Sequence, residues 1–103
     1  MSWTRVAAVA DVPDDGALRV EVGGTPVCLA RSRGRFYAVN DICTHAEVSL
    51  SEGEVEDGTV ECWLHGSRFD LETGSPTGLP ANRPVATYPV KTEGDDVFVA
   101  VED

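Results

Sequence analysis

Residues 41–45 read Asp-Ile-Cys-Thr-His ("DICTH") and residues 62–65 read Cys-Trp-Leu-His ("CWLH"). The chain has three cysteines and two histidines, so these stretches hold both histidines and two of the cysteines. Together Cys43, His45, Cys62 and His65 make the pattern C-x-H, sixteen residues, C-x-x-H. Thiolates and imidazoles are soft to borderline ligands, suited to zinc, copper or iron–sulfur centres. A buried cysteine beside an unrelated surface histidine, occurring twice, is a poor account of a chain with so few of either.

Two metal readings stay open on the residues alone. A zinc site of two cysteines and two histidines is chemically sensible, but its usual spacing pairs like with like along the chain. Here each local pair is mixed. If each stretch gives one cysteine and one histidine, a dinuclear centre can have one iron facing two sulfurs and the other facing two nitrogens.

The motifs "CTHAEVSL" (43–50) and "CWLHGSRFD" (62–70) resemble the Rieske [2Fe–2S] family. The resemblance reaches the β-type runs before Cys43 and the stretch "TGSPTGLPANRPVATYPV" (73–90). It implies an all-β Rieske fold: an antiparallel, β-sandwich-like base with an inserted cluster-binding lobe. One domain, 1–103, is expected, with base strands at about 1–40 and 83–103 and the lobe at about 41–82. It also implies one [2Fe–2S] cluster per chain, with Cys43 and Cys62 on the inner iron and His45 and His65 on the outer. Ser67 stands where the family places a hydroxyl donor to the cluster, and Gly78-Leu79-Pro80 where a proline loop covers it.

Charge counting explains what such ligation does. Two ferric ions, two sulfides and two thiolates sum to zero, and neutral histidines add nothing, so reduction creates a single negative charge. A four-cysteine cluster starts more negative and is harder to reduce, which is why histidine ligation raises the potential. Histidine protons are also lost more readily when the iron is ferric, coupling redox to protonation.

Departures from the pattern tune the site. Respiratory relatives carry two further cysteines that brace the ligand loops with a disulfide. Val48 and Leu64 occupy those positions here. Phe69 stands where the high-potential type has a tyrosine hydroxyl, so one donor to the cluster is missing. Glu47, Glu52, Glu54, Glu56, Asp57 and Glu61 lie between the motifs with no Lys or Arg among them, and disfavour reduction further. The expected potential is near the low end of the Rieske range, about −150 mV.

The rest of the chain sets the context. At 103 residues it is of single-domain size. Eight Lys+Arg against eighteen Asp+Glu give a net charge of −10, which argues against nucleic acid and anionic membranes and leaves two readings, docking onto a basic partner or acidity that only keeps the chain soluble. No stretch approaches a membrane span, and the start "MSWTRVAAVADVPDD" lacks a cleavable signal, so the cytoplasm is expected. An odd cysteine count there gives no disulfide framework.

Short β-type runs dominate: "TRVAAV", "ALRVEV", "PVCLARS", "GRFYAV", "VATYPVKT" and "VFVAV", with strand-like "GTVEC" and "SRFDL" between the two blocks. Cys28 alternates with Val27 and Leu29 and reads as a small buried hydrophobe. Trp63 reads as a packing residue between ligands, with an exposed docking contact as the alternative. Val48, Leu64, Leu79 and Pro80 form a candidate apolar rim, and Gly66, Gly74 and Gly78 read as turn-makers.

No free nucleophile, base pair or open metal position is visible, so substrate chemistry belongs to another protein. The length and the absence of a leader resemble stand-alone ferredoxins of ring-hydroxylating dioxygenases. That resemblance implies a monomeric one-electron carrier between a flavoprotein ferredoxin reductase and a terminal oxygenase, with the exposed edge of His45 or His65 as its exit. The run at 49–74 is also similar to Rieske ferredoxins near actinobacterial iron–sulfur assembly genes. The alternative is therefore an accessory role in cluster assembly or redox sensing.

Overall fold

The computed structural model describes residues 3–43, 48–64, 66–78 and 83–101. Among the described residues ten strands pair antiparallel throughout, in three sheets ordered β1-β10-β9, β2-β3-β4-β8 and β5-β6-β7. The strands are β1 (Trp3–Ala8), β2 (Gly16–Val22), β3 (Thr25–Ser32), β4 (Arg35–Asn40), β5 (Val55–Glu56), β6 (Thr59–Glu61), β7 (Arg68–Asp70), β8 (Thr87–Tyr88), β9 (Val90–Glu93) and β10 (Asp96–Ala100). The described residues contain no α-helix, only 3-10 turns at Val9–Asp11 and Leu50–Glu52. The all-β expectation holds.

Tight turns fix the register. Val22 pairs with Thr25, Ser32 with Arg35 and Glu56 with Thr59, leaving two-residue connections. In each, both central residues have positive φ: Gly23 and Gly24, Arg33 and Gly34, Asp57 and Gly58. That is the condition of a type I′ turn, whose twist matches the strands it joins.

β3 explains the layering. Val27, Cys28, Leu29 and Ala30 are all fully buried, although side chains alternate faces along a strand. Val27 and Leu29 join Ala38, Val97 and Val99 in a core shared with the β1-β10-β9 sheet. Cys28 and Ala30 face the other way and join Val39, Leu50, Val55, Val60, Phe69 and Leu71. The central sheet is thus covered on both faces, on one by the β1-β10-β9 sheet and on the other by side chains from residues 43–71.

One strand expectation needs correcting. The run "VATYPVKT" is two strands: β8 pairs with β4, whereas β9 pairs with β10 in another sheet. Pro89 lies between them, with no N–H to continue a ladder, and the chain changes sheets there. The two-residue β5 is too short to show a period in the sequence.

Candidate metal centre

Two hairpin stems present the cysteines. In the first, Ile42 bridges Ser49, and the amide of Cys43 donates to the carbonyl of Val48 at 3.0 Å. In the second, Glu61 pairs with Arg68, and the amide of Cys62 donates to the carbonyl of Ser67 at 2.6 Å. Each closing bond spans the same interval, so residues 43–48 and 62–67 are loops of equal length, each headed by a cysteine. The C-x-H and C-x-x-H spacings sit within matching frames. Gly66, in the second loop, has φ of 75°, a conformation costly for a side chain.

The loops deliver their cysteines to one place. Cys43 (3% exposed) and Cys62 (0%) share a single buried cluster with Leu50, Val60, Phe69, Leu71 and Val85. All three cysteines lie among the described residues and none is in a disulfide. Two thiol sulfurs gathered at the heads of equal loops, inside an apolar shell, are a donor set that fits the sulfur-ligated iron of a [2Fe–2S] centre. Ser67 is buried as well. His45, His65, Glu47, Leu79 and Pro80 lie outside the described residues.

Cys28 belongs to the same cluster, from β3. Burial pushes its thiol above the ordinary value, and the negative charge of Asp41 adds to the effect. It is kept as a neutral thiol, in line with its reading as a small core residue. Gly74 also has positive φ (79°), and a Cβ there would collide with the carbonyl of Val85. That approach lets Val85 N donate to Gly74 O at 2.8 Å, tying the segment after β7 to the chain entering β8.

Trp63 stands exposed, which favours its reading as a docking contact. It is 48% exposed, and Leu64 beside it is 43% exposed. Val48, by contrast, packs against the buried cluster. The acidic stretch also looks different in three dimensions. Arg68 lies 3.7 Å from both Glu56 and Glu61, and Arg33 lies 3.2 Å from Asp57. Folding brings in the cations that the stretch itself lacks, while Glu52 and Glu54 are exposed with no ion pair among the described residues.

Residues that sequence reasoning missed tie the stem of the first loop. Asp41, fully buried, accepts from Arg19 Nη1 at 3.0 Å and from the amide of Ser51 at 2.8 Å. Arg19 Nη1 also donates to Ser49 Oγ at 2.8 Å. The available signal was an acid placed directly before an apolar residue and a ligand cysteine.

The comparisons with known proteins agree with this geometry. The model of the Rieske [2Fe–2S] domain matches residues 2–89. The 3-phenylpropionate/cinnamic acid dioxygenase ferredoxin subunit of Escherichia coli (strain K12) is 49% identical over 92 residues, 88% of this chain and 86% of the relative. The ferredoxin of carbazole 1,9a-dioxygenase from Nocardioides aromaticivorans IC177 superimposes with a TM-score of 0.91 at 34% identity, covering 99% of this chain and 100% of that one. A complex of reduced oxygenase and oxidized ferredoxin in carbazole 1,9a-dioxygenase matches with a TM-score of 0.88 at 36% identity, over 95% of this chain and 92% of that one. No helix among the described residues is long and apolar enough to cross a membrane. With its buried cysteine pair, its layered sheets and these relatives, the chain belongs to the Rieske [2Fe–2S] family, has a [2Fe–2S] cluster as its cofactor, and is a ferredoxin, an electron-transfer component rather than a catalytic oxygenase.

Proposed function

We propose that this chain carries single electrons from a flavoprotein ferredoxin reductase to the terminal oxygenase of a ring-hydroxylating dioxygenase. In this reading Cys43 and Cys62 hold one iron, His45 and His65 hold the other, and Ser67 supports the cluster from the second loop. The observation that carries it is the convergence of Cys43 and Cys62 in one buried cluster, each at the head of an equal loop. When bound, the cluster supplies a site that takes up and releases one electron near neutral pH.

The chain's own residues do the rest. Leu50, Val60, Phe69 and Leu71 surround the cysteines with apolar side chains and exclude water from the sulfur side. Trp63 and Leu64, between Cys62 and His65, offer an exposed apolar contact to a partner. Around it the net charge of −10 steers encounter with a basic surface. Such interfaces are small and transient, as a shuttle requires. The carrier works as a cytoplasmic monomer and meets its two partners in turn.

The test is reconstitution. The purified protein should bleach in the visible on reduction by NADH and a flavoprotein reductase, give a Rieske EPR signal, and support turnover by an oxygenase of the 3-phenylpropionate type. Colourless protein that is EPR-silent after reduction overturns the cluster assignment. Coloured protein that no dioxygenase reoxidises overturns the carrier role. No feature described above favours the cluster-assembly role over this one.

A further inference from the structure

We propose that Arg19 and Asp41 form a latch that positions the Cys43 loop, making Arg19 a positioning residue for the cluster although it stands on a distant strand. This rests on the assignment of Cys43 as a ligand. The argument begins with Asp41, which uses every acceptor and donor it has on different parts of the chain. Its amide donates to the carbonyl of Pro26 at 3.0 Å, and its own carbonyl accepts from Leu50 at 2.6 Å. One carboxylate oxygen accepts from the Ser51 amide at 2.8 Å and the other from Arg19 at 3.0 Å. Asp41 therefore joins β2, the start of β3, and the leg of chain that returns from the loop.

Arg19 completes the closure. The same nitrogen, Nη1, reaches Asp41 on the outgoing leg and Ser49 on the returning leg. Those legs are the two sides of the stem that ends in the Ile42–Ser49 bridge and the Cys43–Val48 bond. The second stem has an arginine within it, Arg68 on β7, which donates to Thr59 Oγ on β6 at 2.9 Å. That stem already has three paired residues on each strand. The first stem has one bridge, so the arginine latch does the work that a longer ladder does in the other. Asp41 is fully buried and its charge is offset by Arg19, whose side chain is 43% exposed. Glu21, exposed, lies 3.8 Å from the other terminal nitrogen of Arg19.

The latch has two separable consequences. Mechanically, losing it frees the first loop, so a ligand thiolate is released more often. Electrostatically, losing Arg19 leaves a buried negative charge two residues from Cys43 and disfavours adding an electron, whereas neutralising Asp41 does the reverse.

The experiment uses the cluster-loaded protein and three readouts: midpoint potential, rate of iron loss to a chelator, and amide exchange at Leu50 and Ser51. Arg19→Gln should lose iron roughly tenfold faster, exchange those amides faster, and shift its midpoint downward. Asp41→Asn should also lose iron faster, yet shift its midpoint upward. Ser49→Ala, the mildest change, should speed iron loss with no shift in midpoint, which keeps the test usable should Arg19→Gln fail to fold. Arg19→Lys should recover the midpoint more fully than the loss rate. A protein in which Arg19→Gln or Ser49→Ala lowers only the melting temperature, with all three readouts as in the wild type, overturns the latch. Cys43→Ser separates this from failure of the underlying assignment: if that variant keeps a wild-type cluster spectrum, Cys43 is no ligand, whatever Arg19 does to the Leu50 and Ser51 amides.

Discussion

The amide of Cys62 donates to the carbonyl of Ser67 at 2.6 Å, closing a loop of the same length as the one closed by Cys43 and Val48. Equal loops mean that the histidine differs between them only in its place along the frame. A histidine-to-cysteine exchange in the second loop therefore changes ligand charge without changing loop length. His65→Cys should retain a cluster and shift its midpoint strongly downward, since a thiolate adds a negative charge where a neutral imidazole stood. EPR-monitored redox titration checks this, and an unchanged midpoint removes His65 from the ligand set.

Phe69 is fully buried opposite Val60, two residues beyond Ser67. Phe69→Tyr adds a hydroxyl inside the cysteine-bearing cluster. If it donates toward the cluster, the midpoint rises while the melting temperature stays near that of the wild type. A hydroxyl that finds no acceptor costs about 1–3 kcal/mol instead. Measuring potential and thermal unfolding together distinguishes these outcomes, and the expected one is the raised potential.

The acidic stretch divides into paired and unpaired charges. Glu56, Glu61 and Asp57 are offset by Arg68 and Arg33, so reversing them also breaks internal contacts. Glu52 and Glu54 are the cleaner probes. Glu52→Lys with Glu54→Lys should slow reduction by the flavoprotein several-fold at low salt, and the rates should converge as ionic strength rises. Stopped-flow traces at a series of salt concentrations check it. Equal rates throughout mean that these charges only solvate the surface.

Trp63, directly after Cys62, presents a large exposed apolar surface. Trp63→Ala should raise the carrier concentration needed for half-maximal oxygenase turnover by roughly tenfold, the cost of losing an aromatic anchor. Its midpoint should be unchanged, because the side chain is exposed and is not among the residues packed with the buried cysteines. A midpoint shift without a change in that concentration shows a role at the cluster instead.

Cys28 gives a pH prediction. Its thiol is held above its ordinary value of 9.0, first by burial and then by Asp41. Below that value the thiol is neutral in both folded and unfolded chains, and folding has no proton linkage at this site. As pH rises past it, the unfolded chain ionises while the folded one does not, and stability falls by up to about 1.4 kcal/mol per pH unit. Cys28→Val removes that loss. Urea unfolding of both proteins between about pH 8 and pH 10 should show the wild type losing ground to the variant. Parallel curves contradict the linkage.

Much of this was legible before any coordinates. Strands such as "ALRVEV" and "PVCLARS" announce themselves by alternation and by the glycine pair between them, because local backbone preference and burial point the same way. Cys43 and Cys62 stood out because rare residue types fell at ligand spacing, and the fold gathers both in one buried cluster, whereas His45 and His65 lie outside the described residues. What stayed hidden depended on contacts far apart in sequence. Nothing in "VATYPVKT" says that Pro89 marks a change of sheet, since β4 and β10 must both be in place to claim its two halves. Nothing in the acidic stretch foretells Arg33 and Arg68. Arg19 reads as an ordinary outward residue of β2 until the fold brings Asp41 and Ser49 to it.

The two-faced burial of β3 bears finally on how such a protein can change over generations. Val27 and Leu29 answer to one core, Cys28 and Ala30 to the other. Selection for a new redox property can act through alternate positions of a single strand while the neighbouring positions keep the scaffold intact. A lineage can thus retune the core that holds the cysteines while the Val27 and Leu29 core stays as it is.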